Sequence, residues 1–180
     1  VPKNVGAVPY YYNHKLKSAG TPIAFHFGSR YPFGYGLSYT QFEYSDLRVA
    51  SESVDIERGE ISVMCRVRNV GARSGVAVPQ LYVRDVLASV VRPVKELKAF
   101  GRVGLQPGEA ADVTFVVPVD MLCFTGYDGS RIVEAGQFEL QLGASSADIR
   151  LRRMIEVSGS TRRLGRDWRM FSSSVSEAAG

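Results

Sequence analysis

The chain has 180 residues, 45% of them hydrophobic, with a net charge of +4 and 18 glycines. That length suits one β-rich unit with appendages, and no stretch is long and apolar enough to span a bilayer as a helix. Two cysteines make neither a disulfide framework nor a zinc site, and are expected as half-buried thiols in strands.

Residues 1–40 keep no steady hydrophobic period and read as an irregular linker arm. They hold Pro2, Pro9, Pro22 and Pro32, yet carry Tyr10, Tyr11, Tyr12, Phe25, Phe27, Tyr31, Phe33, Tyr35 and Tyr39, nearly half of the chain's aromatic residues. Irregular chain normally runs over a surface, and a surface segment this aromatic needs something to pack on. The run Pro32 to Thr40 alternates two glycines with aromatics, which predicts a tight corner delivering the chain into a β domain. That corner is expected to stay packed, whereas Val5 to Lys17, lacking its own partner, is expected to be mobile or to contact another copy.

From residue 41 to 157 the period is two, as in half-buried strands. Gln41 to Val49 is the first. Ile61, Val63, Cys65 and Val67 then oppose Ser62, Met64, Arg66 and Arg68. Asn69 to Gly75 is a turn. Leu81 and Val83 face inward, with Gln80, Tyr82 and Arg84 outward. Val94 to Leu105 reads as a strand with an irregular middle at Gly101 and Gly104, followed by the turn Gln106-Pro107-Gly108-Glu109. Val113, Phe115 and Val117 form an inward face that Pro118 ends, and Asp120 starts a helical turn. Arg131 to Glu134 is a short strand, and Phe138, Leu140 and Leu142 alternate cleanly. In the last strand Ile149, Leu151, Ile155 and Val157 share a parity with Arg153. A charge on the core face is costly unless paired, so a bulge near Arg152-Arg153 is expected. Seven or eight short strands without helical period predict an all-β, immunoglobulin-like β-sandwich. Residues 158–180 read as a basic, Ser-rich tail; Trp168, Met170 and Phe171 are candidates to dock it, and its end is expected to be loose.

The late arginines raise the question of nucleic acid. The upstream part mixes charge signs and no nucleic-acid motif appears, so a solvated strand face and a basic tail are the simpler reading. His14 and His26 have no cysteine or carboxylate at ligand spacing, so no metal is expected. No nucleophile elbow or phosphate loop occurs, and no cofactor is implied. The carboxylates fall on outward strand positions or in turns, where surface pairs are the ordinary outcome.

Several segments, in order and at matching spacing, resemble family 3 glycoside hydrolases. These are Pro32-Phe33-Gly34-Tyr35-Gly36-Leu37-Ser38-Tyr39-Thr40; Gln80-Leu81-Tyr82-Val83-Arg84-Asp85; Arg92 to Phe100; Leu105 to Glu109; Val133 to Glu139; and Leu142-Gly143-Ala144-Ser145-Ser146. Val5 to Pro9 and Tyr11 to Lys15 resemble the stretch that leaves the α/β sandwich domain of those enzymes. The resemblance implies that 41–157 is a fibronectin type III-like C-terminal module, and that 1–40 links it to upstream catalytic domains of the same polypeptide. It implies a retaining parent enzyme of β-glucosidase or β-xylosidase type, secreted or periplasmic by preference. Retention uses two carboxyl groups about 5 Å apart, and both belong upstream of residue 1, so no catalytic residue is assigned here. Tyr10, Tyr11, Tyr12, His14, Arg30, Tyr31, Phe33, Tyr35 and Tyr39 are the candidates for interdomain packing or for the rim of the parent's substrate site. A homodimer partner and an oligosaccharide are the other contacts considered. The alternative is a stand-alone carbohydrate-binding or adhesion β-sandwich.

Overall fold

The computed structural model describes residues 12–15 and 29–179. Its strands run in chain order β1 (Phe42–Val49), β2 (Ser53–Asp55), β3 (Glu60–Asn69), β4 (Gly75–Ala77), β5 (Gln80–Asp85), β6 (Glu96–Phe100) and β7 (Val103–Leu105). They continue as β8 (Ala110–Pro118), β9 (Phe124–Thr125), β10 (Arg131–Val133), β11 (Gly136–Gly143), β12 (Ile149–Ser158), β13 (Arg162–Arg163) and β14 (Ser173–Ala178). One sheet has the order β1-β3-β8-β14, and the facing sheet the order β2-β12-β11-β5-β6. Two small sheets, β13-β10-β9 and β4-β7, accompany them. This is a β-sandwich, as the period-two pattern predicts.

The core follows the alternation. Val63, Cys65 and Val67 of β3 and Val113, Phe115 and Val117 of β8 are buried, and so are Leu81 of β5, Leu140 and Leu142 of β11, and Ile155 and Val157 of β12. Pro118 ends β8, and a 3-10 turn, Val119–Leu122, follows at the expected place. Cys65 is a buried core thiol, pushed up to about 12 chiefly by burial. Cys123 is half-buried but lies just after the 3-10 turn rather than in a strand.

Asn69, at the end of β3, ties the chain crossings together. Its side-chain oxygen accepts from Thr40 Oγ1 at 2.6 Å and from the Gly71 amide at 3.1 Å. Its amide nitrogen donates to Arg73 O at 2.7 Å and Leu105 O at 3.0 Å. The side chain is fully buried, so these bonds replace solvent outright.

Three expectations are corrected. The segment 94–105 is two strands rather than one: β6 pairs with β5 and β7 with β4, and the break at Gly101 lets the chain change sheets. No bulge lies at Arg152-Arg153, since β11 and β12 pair in unbroken register from Gly136↔Val157 to Leu142↔Leu151. The shift comes at Arg150, between Leu142 and Gly143 on the partner strand. Arg153 keeps the inward parity, opposite Leu140, but sits where β2 no longer flanks β12 and leaves it an open edge, and its guanidinium turns to solvent to pair with Glu52. The tail is not loose either. β14 pairs antiparallel with β8 along its whole length, from Ser173↔Val116 to Ala178↔Ala111, and β13 pairs with β10.

The late arginines are the ties of this arrangement. Arg150 pairs with Asp148, Arg152 with Glu139 and Arg153 with Glu52; Arg162 pairs with Asp120, Arg163 with Asp128 and Arg169 with Glu60. Asp120 is itself buried and accepts the Arg169 amide at 2.8 Å, so a carboxylate in the 3-10 turn fixes the path of the tail. Of the aromatic candidates for docking it, Trp168 lies against Arg131, whose guanidinium stands 4.1 Å from the ring centroid. Phe171 is exposed.

Candidate functional site

The aromatic corner lies on the outer face of the five-stranded sheet and explains an anomaly in β5. Gln80 and Tyr82 have outward parity, yet both are buried. The Gln80 amide donates to Gly34 O at 2.9 Å and to Ala144 O at 2.8 Å, and the Tyr82 hydroxyl donates to Gln80 Oε1 at 2.6 Å. The Ser146 amide donates to Phe33 O at 2.9 Å. Gly34 makes this approach possible: its φ is +77°, and a Cβ there would stand 2.0 Å from Gln80 Oε1. Burial, with a smaller contribution from Tyr12, pushes the Tyr82 phenol well above its ordinary range.

Tyr12 and His14 join the same face. The Tyr12 hydroxyl accepts from the Leu97 amide, and the Val94 amide donates to His14 O at 3.1 Å. The rings of Tyr12 and Phe33 stack with centroids 4.1 Å apart, and Tyr31 and Tyr35 form a tilted pair at 5.3 Å. Together with Lys95, these residues line an open groove of about 590 Å³. The Lys95 ammonium reaches Gln141 Oε1 at 3.3 Å and lies over the Tyr82 ring. Desolvation, and then Arg152, lower its pKa, while Glu139 acts in the opposite sense.

Of the predicted site residues, Tyr12, His14, Tyr31, Phe33 and Tyr35 come together here, with Arg30 placed over the Tyr31 ring at 5.8 Å. Tyr39 does not join them; it is 91% exposed. Tyr10 and Tyr11 lie outside the described residues, as does most of Val5 to Lys17. Within that stretch Tyr12 to Lys15 is described. It is bonded to the sandwich through Tyr12 and His14, contrary to the expectation of an unattached arm. The sequence reading missed Lys95, Ser146 and the supporting pair Gln80 and Tyr82. The one available signal was a tyrosine at an outward strand position, and it does not say what covers it.

The chemistry on offer is stacking and hydrogen bonding. Among the described residues, no acidic side chain lines the groove. Elsewhere Asp85 and Glu96 approach one another, but Arg92 lies between them, 3.4 Å from Asp85 and 2.9 Å from Glu96. Lys98 adds a contact to Glu96 at 3.6 Å. Burial raises the Asp85 carboxyl against the lowering pull of Arg92. Among the described residues, no group of three or more His, Cys, Asp or Glu side chains could hold a metal ion.

Residues 77–146 match the family model of the fibronectin type III-like domain. The chain is similar to a thermostable β-glucosidase B of Acetivibrio thermocellus, 44% identical over 136 residues, covering 73% of this chain and 18% of that protein. It is also similar to a β-xylosidase of Formosa agariphila, 38% identical over 149 residues, covering 81% of this chain and 20% of that protein. Among solved structures it resembles a β-glucosidase from Listeria innocua in complex with glucose. There the TM-score is 0.74 at 32% identity, over 86% of this chain and 23% of the other. The chain thus spans about a fifth of the length of the curated relatives it matches.

Proposed function

This chain is a fibronectin type III-like module of the family 3 glycoside hydrolases, and from that premise we propose that it is a non-catalytic part of an enzyme hydrolysing β-glycosidic bonds. The parent would be of β-glucosidase or β-xylosidase type. The module buttresses the catalytic domains and leaves the chemistry to them. The observation that carries this reading is the disposition of its acidic groups. Among the described residues the groove holds none, and Asp85 and Glu96, which approach one another elsewhere, are both bound by Arg92. A retaining pair needs carboxyls free to attack and to protonate across a space of about 5 Å. The test is direct. Pure chain should give no turnover of aryl β-glucosides or β-xylosides, whereas the longer polypeptide encoded with it should cleave one of them. Turnover by the pure chain above a buffer blank would end the proposal.

One observation favours a second role for the same face. Tyr31, Phe33 and Tyr35 are about half exposed around the groove, and Lys95 supplies a donor beside them. Aromatic faces with adjacent donors suit a sugar ring. On this reading the groove contacts the parent's oligosaccharide at its rim, or retains polysaccharide by itself. Polysaccharide pull-down with the chain alone separates the two: retention supports autonomous binding, and its absence leaves a rim contact or packing.

A further inference from the structure

We propose that the loop between β5 and β6, together with Tyr127, is the surface on which the preceding part of the same polypeptide docks; this rests on the buttress reading above.

The loop is fixed, and it is apolar outside. At its start the Val86 amide donates to Gln137 O at 3.1 Å. At its middle the Ser89 amide donates to Glu134 Oε2 at 3.0 Å, while Ser89 O accepts the Tyr127 hydroxyl at 3.0 Å. At its end Arg92 is almost fully buried between Asp85 and Glu96, and also donates to Leu122 O at 3.2 Å. Its guanidinium stands 4.6 Å from the Phe124 ring centroid. Yet Leu87 is 85% exposed, Val91 67% and Tyr127 88%. Holding a loop in one conformation costs backbone and side-chain entropy, and among the described residues no apolar burial at its tip offsets that cost. A surface arranged in advance and left uncovered is what a docking face needs, because little ordering remains to be done on binding.

The occupant follows from where the arm meets the sandwich. Tyr12 to Lys15 lies along 94–97, where this loop runs into β6, and Val94 lines both the aromatic groove and the hollow of about 320 Å³ beside Leu87 and Tyr127. The described part of the arm therefore meets the sandwich at this end, through Tyr12 and His14. The relatives that the chain matches are about five times as long as the matched part, so a large body of protein is available to sit there. A glycan fits the tip less well. The side chains of Leu87 and Val91 offer no polar atom, and the Tyr127 hydroxyl is already bonded to Ser89.

Hydroxyl-radical footprinting reads these side chains directly. In the isolated chain Leu87, Val91 and Tyr127 should be oxidised at the rate of exposed residues. In the longer polypeptide containing the catalytic domains, oxidation should fall at least fivefold at all three. Leu87→Asp and Val91→Asp should leave the melting temperature of the isolated chain unchanged, lower that of the longer polypeptide, and restore oxidation of Tyr127. Equal oxidation in the two forms overturns the proposal. Protection that appears in the isolated chain as its concentration rises also overturns it, assigning the surface to a second copy. Protection of the isolated chain by a cello- or xylo-oligosaccharide overturns it too, assigning the surface to a glycan. Should the longer polypeptide cleave no glycoside, the functional reading fails while the footprint still reports whether the surface is covered.

Discussion

The two glycines of the aromatic corner make opposite predictions under the same substitution. In Gly34→Ala the new methyl would stand 2.0 Å from Gln80 Oε1, 2.8 Å from its Cδ and 2.9 Å from the Tyr82 hydroxyl, on a backbone with φ +77°. A left-handed backbone costs a non-glycine residue about 1–2 kcal/mol. Gln80 cannot retreat, because it and Tyr82 are buried. Moving it breaks its bonds to Gly34 O and Ala144 O and the bond from Tyr82. At a net value of about 1 kcal/mol for each hydrogen bond, the total is about 4–5 kcal/mol if the corner stays in place. The corner can lift off instead, so its own attachment caps the loss, and a fall of about 3 kcal/mol is expected from urea unfolding. The sandwich core is untouched and should still unfold cooperatively. If the corner lifts off, spectrophotometric titration should find the Tyr82 phenol returned toward its ordinary range, because burial is the main cause of its shift. At Gly36 a Cβ would meet nothing within 4 Å. Gly36→Ala should therefore be neutral or stabilising by up to about 1 kcal/mol, through a stiffer unfolded chain. A Gly34→Ala protein within about 0.5 kcal/mol of wild type, or a Gly36→Ala protein that loses as much as Gly34→Ala, would refute this account of the corner.

Arg153→Ala should change stability by less than about 1 kcal/mol in urea melts, because the Arg153 and Glu52 side chains are 48% and 71% exposed. A loss near that of a buried pair, about 3 to 5 kcal/mol, would mean that the guanidinium lies inside. Asn69→Ala should cost about 2–4 kcal/mol, since it strands Leu105 O and three other groups around a fully buried side chain; a neutral result would show that the crossing holds without it. Acid should weaken the fold through Asp148 and Asp112, whose carboxyls are held below their ordinary value first of all by hydrogen bonds from Arg150 and Arg66. A depressed carboxyl stabilises fully above the unfolded value of about 3.9 and loses that contribution as pH falls through the folded value. The urea midpoint should therefore drop as pH falls below about 4, and the Asp112→Asn, Asp148→Asn double variant should drop less. Equal slopes in the two proteins would remove these pairs from the account.

The strands that were legible are those whose alternation separates a buried face from a wet one. Val63, Cys65 and Val67 declare their side because Ser62, Arg66 and Arg68, on the other face, cannot take it. β14 carried no such signal: all six residues of Ser173–Ala178 are exposed, and it is held by backbone bonds to β8, which any sequence lacking proline can make. Arg153 misled for a related reason. Parity tells which way a side chain leaves the backbone, but not whether the strand is an open edge at that point, round which the side chain can reach water. Here β2 is three residues long and stops short of Arg153, so a long side chain at an inward position still reaches water. The bulge does occur, at Arg150, where the guanidinium lies 4.7 Å from the Tyr44 ring centroid and bonds Asp148.

The candidate site was half legible for a reason that bears on function. Ring density marked the corner and Tyr12 as needing a surface, and the nearest surface proved to be the module's own β5 face. Gln80 lies 46 residues from Gly34, so no local pattern could announce their bond. The consequence is a division of labour among the aromatics. Tyr12 spends its hydroxyl on Leu97 and one ring face on Phe33, so it secures the arm to the sandwich. Tyr31 and Tyr35 keep open area at the groove. Leu37 and Tyr39, both about 90% exposed, make no such closure. Whatever the parent places against this module therefore meets a corner already fastened from beneath. Such a corner can transmit the position of the incoming chain to the sandwich without first having to fold.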